Sequence, residues 1–182
     1  CPETKDNDFT WKGFQDRNNN ELAANLGNFV NRVIILTQKY YKGKVPALGI
    51  LDEADKTAIV ALEKAPKLVS EAIENYRFRE ALSLVMDLSR AGNQYLGDTE
   101  PWRLVKIDPI KVETIMNIAL QITASVSVLL EPFLPFSAKK LQSELQLTSI
   151  AWSDAGNTNL LPEGHQIITE KPAVLFAKLE DS

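Results

Sequence analysis

Apolar residues recur at three- and four-residue intervals along most of this chain, and prolines and glycines cut the pattern into pieces. That spacing puts side chains on one face of an α-helix, so the sequence favours an all-α protein. The first stripe, Leu22, Leu26, Phe29, Val30, Val33 and Leu36, predicts a helix from about Glu21 to Tyr41. Asn18, Asn19 and Asn20 stand ready to cap it, and Gly43 and Pro46 close it. A second helix is expected over 52–75, with Asp52, Glu53 and Asp55 at its positive dipole end and Pro66 set to kink or split it. Phe78, Leu82, Val85, Met86 and Leu88 mark a third over 78–96, which Gly97 ends and Pro101 keeps from resuming. The fourth, 111–130, is the most apolar and is expected at the centre; Pro132 and Pro135 break it, and a short helix over 137–145 follows. Short connections between such helices predict an antiparallel bundle over 1–147, with 1–16 as a lead-in segment. From Thr148 onward Gly156, Asn157, Asn159, Pro162, Gly164 and Pro172 break any helix. The stretch 148–182 is therefore expected to be an irregular C-terminal arm that packs back on the bundle or on a neighbouring domain, with one short strand at 173–177.

Several function classes fall away on composition. With 45% hydrophobic residues in 182, the chain can bury a core without disulfides, and its single cysteine, Cys1, cannot form one internally. That suits a reducing cytoplasm. The polar opening has no secretory character, and the longest apolar run, 115–130, is interrupted by Asn117, Gln121, Thr123 and Ser125, so no membrane span is expected. The opening carries no methionine, and a fragment of a longer protein is expected. One histidine, His165, lies far from any second metal-ligating cluster, so neither a zinc site nor a di-iron bundle is expected. No Gly-rich phosphate loop and no nucleophile motif is present, and no catalytic residue is assigned.

Binding is a different matter. A net charge of −4 rules out a generally basic protein but not a basic face. Between Leu22 and Leu51 the only charged residues are Arg32, Lys39, Lys42 and Lys44. Asn28 and Arg32 are four apart, hence neighbours on one helix face, with Lys39 further along it and the apolar stripe turned away. Such a face is either a solvated surface or a reader of unpaired bases, since an amide both donates and accepts and a guanidinium donates in a planar fork. Pro101-Trp102 poses the same choice: an indole that covers the bundle edge, or a stacking platform on a proline-stiffened loop. Arg103, Lys106 and Lys111 follow it and could serve phosphates. Asn93 and Tyr95 just before are expected to cap the third helix and fill the core.

Taken together, these stretches resemble the anticodon-binding domain of methionyl-tRNA synthetases, a branch of the class I synthetases. The resemblance rests on Asn20-Glu21-Leu22-Ala23, on Leu26-Gly27-Asn28-Phe29-Val30-Asn31-Arg32, on Asn93-Gln94-Tyr95-Leu96 followed by Pro101-Trp102, and on Glu131-Pro132-Phe133-Leu134-Pro135. The opening, with Asp8-Phe9-Thr10-Trp11, and the closing Leu175-Phe176 with Lys178 look like the family's joins at either end. What the resemblance implies is tRNA recognition through the CAU anticodon, with Asn28 and Arg32 reading its first base, a cytosine, and Trp102 stacking on it. Lys39, Arg103 and Lys106 are implied as further RNA contacts. Gly97 stands where some relatives carry an acidic residue that repels wrong anticodons. The catalytic domain, its ATP and a candidate zinc are implied to lie in the parent enzyme, methionine–tRNA ligase, outside this chain; the fragment itself holds no cofactor. The alternatives are another class I synthetase of the isoleucyl, leucyl or cysteinyl type, or a helical interaction module without RNA binding.

Overall fold

A computed structural model of the protein describes residues 22–172, the Ala23 side chain apart. The lead-in segment, the cap asparagines Asn18 to Asn20, the strand at 173–177 and the closing Leu175, Phe176 and Lys178 lie outside the described residues. Within them the fold is all-α. A π-helical stretch, Leu22–Gly27, runs directly into α1 (Asn28–Tyr41). Then come α2 (Glu53–Glu74), α3 (Phe78–Thr99), the one-turn α4 (Pro101–Leu104), α5 (Pro109–Leu129) and α6 (Pro135–Glu144). No strand forms among the described residues; the only ladder-like contact is a bridge between Lys44 and Gln166.

Local chemistry sets the helix ends. Asp52 and Asp55 close a capping box at the start of α2: the Asp55 amide donates to Asp52 Oδ1 at 3.0 Å and the Asp52 amide to Asp55 Oδ2 at 2.9 Å. Asp108 caps α5 through the Lys111 amide at 3.2 Å, with Pro109 in the first turn, where its missing N–H costs nothing. Residues 54–61 of α2 face Ala91, Gln94, Tyr95 and Asp98 of α3, whereas Ala65 and Leu68 face Leu84 and Asp87. The two helices are thus antiparallel.

Helix α5 is the hub and touches α1, α2, α3, α4 and α6. Every residue from Thr114 to Leu130 is buried. By length and composition α5 can cross a membrane, contrary to the expectation from its interrupted apolar run, but 94% of the apolar window is buried inside the bundle. Three of the interrupting polar residues, together with Thr114 just before the run, have a clear task, while Thr123 donates to the Ala119 carbonyl of its own helix. Thr114, Asn117, Gln121 and Ser125 fall at i, i+3, i+7 and i+11, one stripe of the helix. Each grips an irregular segment that has no helical partner for its backbone: Thr114 Oγ1 accepts from the Gly49 amide at 2.9 Å, and Asn117 donates to the Pro46 carbonyl at 2.8 Å. Gln121 donates to the Leu161 carbonyl at 2.6 Å and accepts from its amide at 2.8 Å, and Ser125 accepts from the Gly156 amide at 2.9 Å. Buried backbone groups need such partners.

Among the described residues after Thr148 there is a single 3₁₀ turn, Trp152–Asp154, and that stretch lies along the bundle. Leu161 and Ile167 are buried in the core. The Val45 amide donates to the His165 carbonyl at 2.9 Å and the Ile167 amide to Gly43 at 2.8 Å, while the His165 ring meets the Leu145 carbonyl at 2.8 Å.

Four expectations need correction. Helix α2 runs unbroken through Pro66. Proline frees the carbonyl four residues earlier, and the turn at Gly156 (φ +85°) covers that place: a Cβ there would meet Pro66 Cγ at 2.7 Å and the Leu62 carbonyl at 3.5 Å. Trp152 Nε1 donates to Ser70 Oγ at 3.0 Å one turn on, so the arm braces the helix where proline weakens it. Helix α3 continues past Gly97 to Thr99 and stops at Glu100, held in the left-handed region at φ 45°. Pro101 starts a new turn rather than preventing one, and Trp102 stands on helix α4 instead of a loop. Asn93 does not cap α3. Its Nδ2 donates to the Asn25 carbonyl at 3.0 Å and so ties α3 to the π-helical stretch before α1. Tyr95 fills the core, as its spacing implies.

Candidate nucleic-acid interface

The sequence places Asn28 and Arg32 on one helix and Trp102 seventy residues further on; the fold brings all three to one surface. The Arg32 guanidinium carbon lies 5.6 Å from the centre of the Trp102 ring, a cation–π contact between α1 and α4. Trp102 is 37% exposed, and Arg32 and Asn28 are exposed beside it. Asn28, the first residue of α1, donates from Nδ2 to the Ala24 carbonyl at 2.9 Å. With that amide N–H engaged, Oδ1 is its acceptor toward solvent.

Two contacts fix α1 against α3. Phe29, fully buried, lies against Gly92, where a Cβ would come within 2.4 Å of the ring tip. Asn93 holds the stretch that enters α1. The surface thus carries a flat apolar ring, a planar donor and an oriented amide on a rigid frame.

The cations around this surface divide. Lys39 is exposed one heptad along α1 from Arg32, its ammonium 5.6 Å from the Tyr40 ring. Arg103 is exposed and pairs with Glu100 at 3.4 Å, and Lys106 is exposed beyond α4. Lys111 is not available for phosphate. Its ammonium binds both Asp55 and Asp52, the latter at 2.9 Å, and is mostly covered. Burial works to lower its pKa, but the hydrogen bonds to Asp55 and Asp52 outweigh it and the net shift is upward. The same contact, with the Asp55 amide, holds the Asp52 carboxyl below its usual range.

Asp55 itself is fully buried and accepts from the Tyr95 hydroxyl at 2.5 Å. Burial and then this bond push the Tyr95 phenol well above the ordinary tyrosine range. The sequence shows carboxylates at the start of α2. It does not show that Asp55 also meets partners 40 and 56 residues away. Among the described residues no group of three or more His, Cys, Asp or Glu could hold a metal ion.

Comparison with known proteins settles the family. The family model described as the anticodon binding domain of methionyl tRNA ligase matches residues 45–182, and that of class I tRNA synthetases (M) matches residues 1–34. The chain belongs to the methionyl-tRNA ligase family. It is homologous to that family's anticodon-binding domain. The methionine–tRNA ligase of Cytophaga hutchinsonii is 51% identical over 182 residues, all of this chain and 26% of that protein. Those of Bacteroides fragilis and Parabacteroides distasonis are 51% and 52% identical, with the same coverage. The chain therefore spans about a quarter of the length of these relatives. Mycobacterium tuberculosis methionyl-tRNA synthetase, solved with methionyl-adenylate, shares the fold at a TM-score of 0.77 and 21% identity, covering 88% of this chain and 32% of that one. Asn28 and Arg32 fall in the class I match, Trp102, Arg103 and Lys106 in the anticodon-binding match, and Lys39 between them. The candidate surface thus straddles both.

Proposed function

We propose that this domain reads the CAU anticodon of tRNA on behalf of a methionine–tRNA ligase whose catalytic domain lies outside the chain. Activation of methionine with ATP, and the zinc that the resemblance implies, belong to that outside part. Residues 1–16 and the arm 148–182 would lead toward it, and the whole would work in the cytoplasm, away from membranes. The observation that carries the reading is the Arg32–Trp102 contact beside Asn28.

The chemistry follows from base edges. Cytosine offers an amino donor beside two acceptors, N3 and O2. The outward Asn28 Oδ1 accepts from the amino group, and the Arg32 fork donates to the acceptors. Uracil turns O4 toward Oδ1 and its N3–H toward the guanidinium, so those two contacts become repulsive and only O2 still accepts. For the base to stack on the indole, Arg32 leaves that face and moves to the base edge. An exposed cation–π contact is worth about 0.5–1 kcal/mol, against about 1–3 kcal/mol for base–aromatic stacking, so the exchange is favourable. Lys39, Arg103 and Lys106 would supply phosphate contacts without reading sequence.

The test is binding of transcribed tRNA carrying CAU against one-base variants, with Asn28→Ala and Arg32→Ala alongside. Both changes should erode the preference for cytosine at the first position. Equal binding of all anticodons by the parent protein would reject the reading.

A further inference from the structure

A fully buried carboxylate with one lysine and one tyrosine is an expensive way to join three helices, since well-packed apolar residues often do as well or better. Where its members sit gives the reason. Asp55 is in the first turn of α2, Tyr95 in the last turns of α3 and Lys111 in the first turn of α5. Helices α3 and α5 are the two anchors of the connection that carries α4. Tyr95 precedes Trp102 by seven residues and Lys111 follows it by nine. Between those anchors the chain turns at Glu100 with φ 45°, makes one helical turn, and exposes residues 106–110. Within the connection Pro101 is buried and Leu104 and Val105 pack against the core, contacts that hold α4 close but carry no directional bond to set its height and rotation.

We propose that the Asp55–Tyr95–Lys111 cluster positions Trp102 for the anticodon base, with Tyr95 and Lys111 as positioning residues that never touch RNA. By holding both anchors to the first turn of α2, it fixes the height and rotation of α4 and so seats the indole against α1. A satisfied buried network is directional where apolar packing is not, which is what a stacking wall needs. This inference rests on the proposed role of Trp102 as a stacking platform.

The experiment is a double-mutant cycle in the full-length ligase, read as affinity for CAU tRNA. Tyr95→Phe removes one hydroxyl and keeps the ring. It should weaken binding by about twofold or more in the parent background, the lower range for coupled sites, and have little effect once Trp102 is alanine. Lys111→Met should behave like Tyr95→Phe, and Lys111→Arg should recover most of the loss. With every tryptophan of the ligase other than Trp102 replaced by phenylalanine, Tyr95→Phe should also make Trp102 emission easier to quench. An equal loss from Tyr95→Phe in both backgrounds, with unchanged Trp102 quenching, overturns the positioning role and leaves the cluster as a helix tie. A Trp102→Ala protein that binds CAU tRNA as well as the parent overturns the stacking reading instead. If Tyr95→Phe does not fold, the Lys111→Arg and Lys111→Met pair run through the same cycle decides the matter.

Discussion

Gly92→Ala adds one methyl group at a point far from solvent and outside the proposed readers. On helix propensity alone it should stabilise α3 by about 0.8–1.0 kcal/mol. The structure dictates the opposite. The new Cβ would lie 2.4 Å from Phe29 Cζ, 2.5 Å from Cε1 and 3.0 Å from Cε2, so it meets the ring end-on. Phe29 is fully buried in the core cluster that also holds Leu22, Leu26, Val33 and the α3 stripe. Overpacking of this kind costs about 1–3 kcal/mol. The severity of the clash points to the upper half of that range, and subtracting the propensity gain leaves a net loss of about 1–2 kcal/mol. At roughly 2–4 °C per kcal/mol for a chain of this size, the midpoint should fall by about 2–8 °C. Far-UV circular dichroism melts of Gly92→Ala, Phe29→Leu and the double variant measure it. Phe29→Leu shortens the ring side chain, so the double variant should be more stable than the two single losses sum to. Since Phe29 lies between Asn28 and Val30, the push also shifts α1, and the cytosine preference should weaken with the midpoint. A Gly92→Ala protein as stable as its parent, or more so, would refute the packing argument.

Trp102→Ala should cost roughly fivefold to over a hundredfold in tRNA affinity, from about 1–3 kcal/mol of stacking, with little loss of selectivity; a much earlier melt with tRNA binding intact would make Trp102 a packing residue. Lys39→Ala, Arg103→Ala and Lys106→Ala should weaken all anticodons alike and each lower the salt slope by just under one, which a titration of affinity against salt checks; a loss confined to one anticodon would show that the residue reads a base. Stability should hold from weakly acid to about pH 10 and fall above it. Lys111, raised when folded, contributes stability below its unfolded pKa and loses it as pH rises through the folded one. Tyr95 adds to the same fall, because above its ordinary value the unfolded phenol ionises and the folded one does not. Asp52, lowered when folded, loses its contribution only as pH falls through the folded value. Ultraviolet titration should show Tyr95 and Tyr41, the latter pushed to about 12 by burial and the Glu113 charge, ionising above the ordinary tyrosine range.

The bundle was legible because periodicity is a local property. Each apolar stripe can be read within a dozen residues, and the central place of 111–130 follows from how few polar faces it has. What went wrong concerns breakers, whose effect depends on what packs against them. Pro66 costs α2 a hydrogen bond but leaves the helix intact where the arm from Trp152 to Gly156 covers it. Gly97 is an exposed helical glycine with open space around its Cα, and nothing at that position ends α3. The turn comes three residues later, at Glu100, a residue type that carries no local signal for the left-handed region. Asn117, Gln121 and Ser125 interrupt the apolar run of α5 in the sequence. With Thr114 they are the grips for Pro46, Leu161, Gly156 and Gly49, visible only once those segments are in place.

The candidate site divides along the same line. Asn28 and Arg32 share a face by spacing alone, and an indole behind a proline is conspicuous in any sequence. Their meeting is a long-range event that no window of the chain contains. It depends on Phe29 fitting the gap at Gly92, on Asn93 reaching Asn25, and on both ends of the α4 connection being held to α2. Lys111 was misread for the same reason. Beside Arg103 and Lys106 in the sequence it looks like a third phosphate contact, but it sits in the first turn of α5, where its ammonium reaches two carboxylates of α2. A charge at the third residue of a helix is either a surface cation or a structural one, and only the neighbour across the helix interface decides. Of the cations following Trp102, the one that cannot reach RNA is therefore the one on which the geometry of Trp102 most depends.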